Sequence, residues 1–470
     1  MLIEKNIPLS EFATFKIGGK ADYFCRVQSL EELKEALFFA KQKKAPIFIL
    51  GGGSNILVSD KGFRGLVIKM EILGIEFNEQ GKKKNSVEVT AGAGENWDYL
   101  VSLCVEKGLY GLENLSGIPG TVGGAIFQNI GAYGAEISEC VSSVEALNIE
   151  TGEIGIIPAK NCAFSYRSSI FKDFSSSPPQ EFSSSFPARG KVPRLCEAEG
   201  WEKATTDIHS HHPVLQGQDT PPQAGGEEAP SPVFSNILVS QSPLIILSAT
   251  FSLQKNGTLK TSYKDISAYF SSLPIPPARG GTASLRARGV GESIVENLSH
   301  HPCSEDLTSP PQAGGEETQP PISDSPFPKG STHSYGGGIF PNLSDLRNAI
   351  LSIRSRKLPP LDKFGTAGSF FKNPIISKKE YEEFKKKFPD CPANPVRKNK
   401  IKISAGWLLD KACNLKGARE GDAGLYENQA LVLVNYGSAS ASEIKSFAEK
   451  AVACVLEKTG IILEREVEYV

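Results

Sequence analysis

Residues 47–60 read IFILGGGSNILVSD. Four apolar residues run into three glycines, a serine and an asparagine, and a second apolar run follows. That is a buried strand breaking into a glycine turn and resuming as a strand. Upstream, Ser29 and Glu32 form an S-x-x-E capping box ahead of LEELKEALFFAKQKKAP, and Leu30, Leu33, Leu37 and Ala40 share one face. Pro46 helps to stop that helix. The unit is therefore strand, helix and strand with a glycine-rich crossing.

Working outward, a second amphipathic helix is expected in AGENWDYLVSLCVEKGLYG, followed at once by GLENLSGIPGTVGGAIFQNIGAYG. Gly117, Gly120, Gly123, Gly124, Gly131 and Gly134 crowd this second run. Near the end of the chain, Ser440 and Glu443 cap a helix whose buried stripe is Ile444, Phe447, Ala448, Ala451, Val455 and Leu456. Gly460 suits its stop, and IILEREVEYV reads as a last strand. Helices and strands alternate, so the class is mixed α and β.

Neither glycine run is GxGxxG and neither ends in GK[ST], so the dinucleotide fingerprint and the Walker loop are both absent. The underlying physics is available all the same. Glycines let backbone N–H groups converge on an anion, and Ser54, Asn55, Ser116 and Thr121 add side-chain donors. One such loop alone reads best as a tight turn. Two with intervening hydroxyls read best as a ligand site.

The chain has 470 residues and a net charge of −2, which points to neither a nucleic-acid nor a membrane surface. The N-terminus lacks the long apolar run of a signal peptide or anchor. Nine scattered cysteines without a CxxC pair read as reduced thiols in a cytoplasmic protein and give no metal site. Two segments, 175–241 and 271–338, differ in composition, being rich in Pro, Ser, Gly and Glu. They are copies of one another: PARG stands at 187 and 277, SHHP at 210 and 299, PPQAGGEE at 221 and 310. Neither sustains an apolar period, so disordered insertion is expected rather than a repeat fold. All six histidines lie between His209 and His333, leaving the rest of the chain with none. Ser369, in GTAGSFFKNP, therefore has no histidine to act as its base.

Ten segments occur in order: TFKIGGKADYF, ILGGGSNILVSD, GIPGTVGGAIFQNIGAYGAE, FSYRSSIFK, TSYKDI, RKLPP, GTAGSFFKNP, KISAGWLLDKACNLKG, NQALVLVN and LEREVEY. Together they resemble the UDP-N-acetylenolpyruvoylglucosamine reductase (MurB) family, type I branch. The resemblance spans nearly all of the chain outside the two copies. It implies an α+β protein with a vanillyl-alcohol-oxidase (PCMH-type) FAD-binding region and a smaller α+β substrate-binding domain. The implied division is 1–174 and 242–270 for FAD, 339–460 for substrate, and 461–470 for a final strand with a catalytic glutamate. FAD is then bound non-covalently, consistent with the missing histidines, by Gly51, Gly52, Gly53, Ser54 and Asn55 and by Ser116, Gly117, Ile118, Pro119, Gly120, Thr121, Gly123 and Gly124.

The implied reaction reduces an enolpyruvyl ether of a UDP-sugar to a lactyl ether, with NADPH as co-substrate, for peptidoglycan synthesis. Ser369 would donate the proton, since a carbanion-like centre needs only a weak acid held in place. Arg167 would hold the substrate carboxylate and Glu466 would complete the catalytic set. By local pattern alone Glu464, Glu466 and Glu468 share one solvated strand face, and only the resemblance selects the middle one. Tyr263, Lys357, Asn373 and Gln429 match substrate-binding positions. A monomer without nucleic-acid or membrane partners is expected. Both inserts start close to functional residues, and the chain stops soon after Glu466, where a frayed strand would loosen the carboxylate. A flavin-binding relative without catalysis, or a related FAD oxidoreductase with another substrate, stays open on the sequence.

Overall fold

Residues 1–79, 85–172, 242–272 and 341–470 are described by a computed structural model of the chain. The disorder expected of 175–241 and 271–338 lies outside them, apart from Ser271, the last residue of a helix, and Ser272. The described sheets and helices belong to one compact unit, 1–270 with 342–470, apart from Ser271, the last residue of a helix.

In chain order that unit begins with β1 (Glu4–Pro8), β2 (Lys20–Val27), α1 (Leu30–Lys43), β3 (Ile47–Leu50), β4 (Ile56–Leu57) and β5 (Phe63–Met70). Next come β6 (Ile75–Asn78), β7 (Ser86–Gly92), α2 (Trp97–Glu106), α3 (Val122–Gln128), β8 (Val141–Asn148), β9 (Ile154–Pro158) and β10 (Leu244–Gln254). The first sheet has the order β1-β2-β5-β3, with β5 parallel to both neighbours. The second, β9-β8-β10-β7-β6, is antiparallel throughout. One core fills the space between them, from Leu33 and Ile68 through Trp97 and Ile126 to Phe251.

The rest of the unit comprises α4 (Lys264–Ser271), α5 (Leu343–Lys357), α6 (Lys378–Lys387), α7 (Ala405–Trp407), α8 (Ala441–Thr459) and β11 (Glu468–Tyr469). Two three-stranded sheets, built from 375–403 and from 419–435, pack with α8 around a second core that contains Phe370, Phe371, Ile444 and Phe447. Among the described residues no helix is long and apolar enough to cross a membrane.

Local signals explain the main helices. Ser29 Oγ accepts the Glu32 N–H at 3.2 Å, while Glu32 reaches back to the Gln28 N–H, one residue earlier than a full box requires. Ser440 and Glu443 complete theirs, and Gly460 closes α8 at φ 73°. Leu456 was expected in the α8 stripe but is 44 % exposed, because the helix turns it past the edge of the core reached by Val455.

Three other expectations are corrected. The last ten residues are not one strand. Glu468 and Tyr469 pair parallel to β4, whereas Arg465 makes an isolated antiparallel bridge with Phe371 and Glu466 runs beside Phe370. Nor is the end frayed: Ser59 N–H donates to the Val470 carbonyl at 2.6 Å, and Val470 N–H donates to Leu57 at 3.0 Å. Finally, Cys413 and Cys454 form a disulfide rather than two thiols. Packing of α8 on the turn after α7 brings their Cα atoms to 6.2 Å, across 41 residues of sequence that carry no pairing signal.

Candidate active site

Both glycine runs form loops at one place. Gly51–Asn55 leaves β3, and residues 116–121 lead into α3. They touch: a Cβ on Gly51 would lie 2.8 Å from Thr121 Oγ1, and one on Gly52 would lie 2.6 Å from Gly120 Cα. Only glycine permits that approach. Ser54 Oγ fastens the loops by donating to the Pro119 carbonyl at 2.9 Å.

Several carbonyls of both loops are tied back into the protein. Gly53 accepts from Thr14 N–H at 3.0 Å, Asn55 from Glu468 N–H at 3.0 Å and Gly120 from Trp97 N–H at 3.1 Å. Gly117 accepts from Arg354 Nε at 2.9 Å, and Gly51 accepts from the Lys69 ammonium. Most of the N–H groups are left over. Among the described residues those of Gly51 to Asn55, and of Ile118, Gly120 and Thr121, have no protein acceptor. Backbone donors are seldom orphaned unless a ligand or solvent meets them. Such a cradle fits the diphosphate of FAD.

These loops form one side of a cavity of about 420 Å³, and Arg167, Ser369 and Glu466 line it as well. Arg167 sits at the tip of a tight turn in which Ser165 and Ser168 exchange backbone hydrogen bonds. Its φ of 58° is unfavourable for a side-chain-bearing residue. Asn129, which ends α3 in the same left-handed region, holds the turn by donating from Nδ2 to the Ser165 carbonyl at 2.7 Å. Arg167 Nε lies 2.9 Å from Glu466 Oε1. Yet the N–H is not aimed along that line, so Nε is a buried donor without an aligned acceptor. The pair is a close charge contact with directional capacity to spare.

Glu466 is 8 % exposed, against 74 % for the side chain of Glu464, so the expected common face of Glu464, Glu466 and Glu468 does not exist. Glu466 N–H donates to the Phe370 carbonyl at 2.8 Å, which sets it next to Ser369. Its own carbonyl accepts from Asn55 Nδ2 at 3.0 Å and Gln128 Nε2 at 3.5 Å. The first loop, α3 and the chain end thus hold one another. Lys172 pairs with Glu468 at 2.5 Å beside them.

Other expected residues lie off the cavity wall. Ser116 and Gly117 are behind it: Ser116 Oγ donates to Glu113, and the Gly117 amide donates to Asp98 at 2.6 Å. Tyr263 packs edge-on against Tyr133 at 5.4 Å, and Lys357 pairs with Asp265 at 2.6 Å, so α4 and α5 bring those two near each other. Asn373 Oδ1 accepts the Ala405 N–H at 2.9 Å, and Gln429 lies against Gly406, so both face the start of α7. Asn129, Gln128, Arg354 and Lys69 were missed. An asparagine ending a helix was the one local signal. The other three act through long-range contacts that spacing does not show.

Two family models match the chain: an FAD binding domain over residues 21–156, and the UDP-N-acetylenolpyruvoylglucosamine reductase C-terminal domain over 359–470. The UDP-N-acetylenolpyruvoylglucosamine reductases of Flavobacterium johnsoniae and Amoebophilus asiaticus are each 32 % identical to it, with 100 % of both chains covered. The crystal structure of the Thermus caldophilus reductase covers 100 % of this chain and 99 % of its own, at 20 % identity and a TM-score of 0.51, and shares the fold. With full-length relatives at that identity, and with a cradle of free amides where the FAD binding domain matches, the chain belongs to the UDP-N-acetylenolpyruvoylglucosamine reductase family.

Proposed function

We propose that the protein catalyses the NADPH-dependent reduction of UDP-N-acetylglucosamine enolpyruvate to UDP-N-acetylmuramate, as a monomer in the cytoplasm, for peptidoglycan precursor synthesis. FAD, held by the two glycine loops, supplies the hydride. Residues 1–174 and 242–270 serve the cofactor, 339–460 the substrate, and 461–470 return a carboxylate to the cofactor side. Convergence carries this reading: Arg167, Ser369 and Glu466, from three distant parts of the chain, line the same cavity as both loops.

The division of labour follows from the groups themselves. Arg167 can grip a substrate carboxylate and oppose the charge that develops there, using the Nε–H that Glu466 leaves unaligned. Glu466 keeps the guanidinium in place. Ser369 Oγ bonds to no described group, so it can turn into the cavity and give up a proton. Tyr263, Lys357, Asn373 and Gln429 bind the more distant parts of the sugar nucleotide. Purified protein is expected to carry one FAD and to turn over NADPH continuously only when the enolpyruvyl sugar nucleotide is present, giving a product two hydrogens heavier. A flavoprotein that oxidises NADPH equally without that substrate would contradict the assignment.

A further inference from the structure

Lys69 stands outside the cavity wall, on the strand behind the first glycine loop. It is the next-to-last residue of β5, lying between Arg26 of β2 and Leu50 of β3. Side chains alternate along a strand. Met70, its neighbour, lines the cavity, so Lys69 projects from the other face of the sheet. There its ammonium donates to the carbonyl of Gly51, the first residue of the glycine loop. Burial pushes the Lys69 pKa below the ordinary lysine value, with Glu71 acting against that shift and Arg26 adding to it. A half-buried cation is thus committed to a single backbone carbonyl.

The peptide joining Gly51 to Gly52 is trans, since the described chain has no cis bond. In a trans peptide the C=O and the following N–H point in opposite directions. A carbonyl pulled toward the far face of the sheet turns the Gly52 N–H toward the cavity. That N–H is among those with no protein acceptor, and Gly52 lines the cavity. Other carbonyls of this loop are held by neutral donors, the Thr14 and Glu468 amides. Lys69 adds positive charge behind it.

We propose that Lys69 is a positioning residue for the cofactor: by holding the Gly51 carbonyl it aims the Gly52 N–H at the diphosphate of FAD and lends that site its charge. The inference rests on the reading of the two loops as the FAD site.

The test compares ligands with and without phosphate on apo-protein. Lys69→Met keeps the apolar stem and removes the charge. It is expected to weaken FAD and ADP about tenfold, the loss for one charge-assisted contact, and to leave riboflavin within about twofold. Salt dependence of FAD binding should also fall. Lys69→Arg should restore FAD binding, and Lys69→Gln, a neutral donor, should fall between. Equal weakening of FAD and riboflavin would make Lys69 merely structural and overturn the proposal, as would unchanged FAD binding in Lys69→Met. If Lys69→Met does not fold, Lys69→Gln carries the same comparison. Wild-type protein that binds riboflavin but neither FAD nor ADP would instead refute the loop reading itself.

Discussion

Ser369 has Gly368 before it, at φ 71°, and two buried phenylalanines after it. Phe370 is fixed by its N–H bond to Leu431, and Phe371 opposes Arg465, so the backbone at the serine is held on both sides. An immobile backbone with an unengaged hydroxyl is what positioned proton donation requires. Replacing Ser369 with alanine removes the proton and little else, as the side chain makes no bond that the fold needs. NADPH should still bleach the flavin absorbance at the wild-type rate. Recovery of that absorbance on adding the enolpyruvyl substrate should slow by about 10²–10⁴-fold, the usual worth of a general acid. Stopped-flow absorbance separates the two phases, and an equal loss in both would remove Ser369 from the protonation step. At this scale the sequence was only partly legible. The serine's lack of a histidine was plain, but only the resemblance singled out one of three alternating glutamates, because local pattern cannot show that Glu466 turns inward beside Phe370.

α5 reaches the second glycine loop through two arginines. Arg347 makes a two-point contact with Asp98 of α2, at 2.6 and 2.8 Å, and the Gly117 amide donates to the same carboxylate. Arg354 holds the Gly117 carbonyl. Burial by itself would raise the Asp98 pKa, but Arg347, the Gly117 amide and Arg354 outweigh it and hold the carboxyl below its ordinary value of 3.8. A carboxylate with a lowered pKa stabilises the fold above its unfolded value, and the benefit fades as pH falls through the folded value. Asp98→Asn keeps the shape and removes the charge. At pH 7 it should cost about 1–2 kcal/mol, allowing for partial exposure of the pair, or roughly 2–4 °C in Tm. The gap from wild type should narrow below about pH 4. Thermal melts from pH 7 to pH 3 test this, and a gap as large at pH 3 as at pH 7 would show that the charge is not its source. Helices such as α1 and α8 were readable from caps and apolar stripes. Their cross-links were not, since an ion pair between residues 98 and 347 leaves no trace in spacing.

The site draws on residues scattered from Thr14 to Val470, and its closure depends on the chain's end returning to β4 beside the first loop. No periodicity could foretell that return; the resemblance carried by the ten segments implied only a final strand with a catalytic glutamate. The two related copies are read as insertions from composition and mutual similarity, a reading that lies outside the described residues. Every residue assigned a role in the site lies in 1–172, 242–272 or 341–470. The first copy begins just after Lys172, whose ion pair with Glu468 holds the strand that comes after Glu466, and β10 resumes directly beyond it, paired with β7 and β8. The second begins at the end of α4, whose Ile266 is packed against Leu346 and Ile350 of α5. Each junction is thus anchored by contacts that the copies do not supply. Replacing residues 175–241 and 273–338 with Gly/Ser linkers of about a dozen residues, each able to span up to about 40 Å, should leave those anchors in place. FAD content is expected to stay at one per chain, and substrate-dependent NADPH oxidation within about twofold of the full chain, since changing the length of a connecting segment adds little closure entropy. Retained FAD with lost turnover would assign the copies a part in substrate binding near Tyr263. Loss of FAD itself would mean that they brace the cofactor loops.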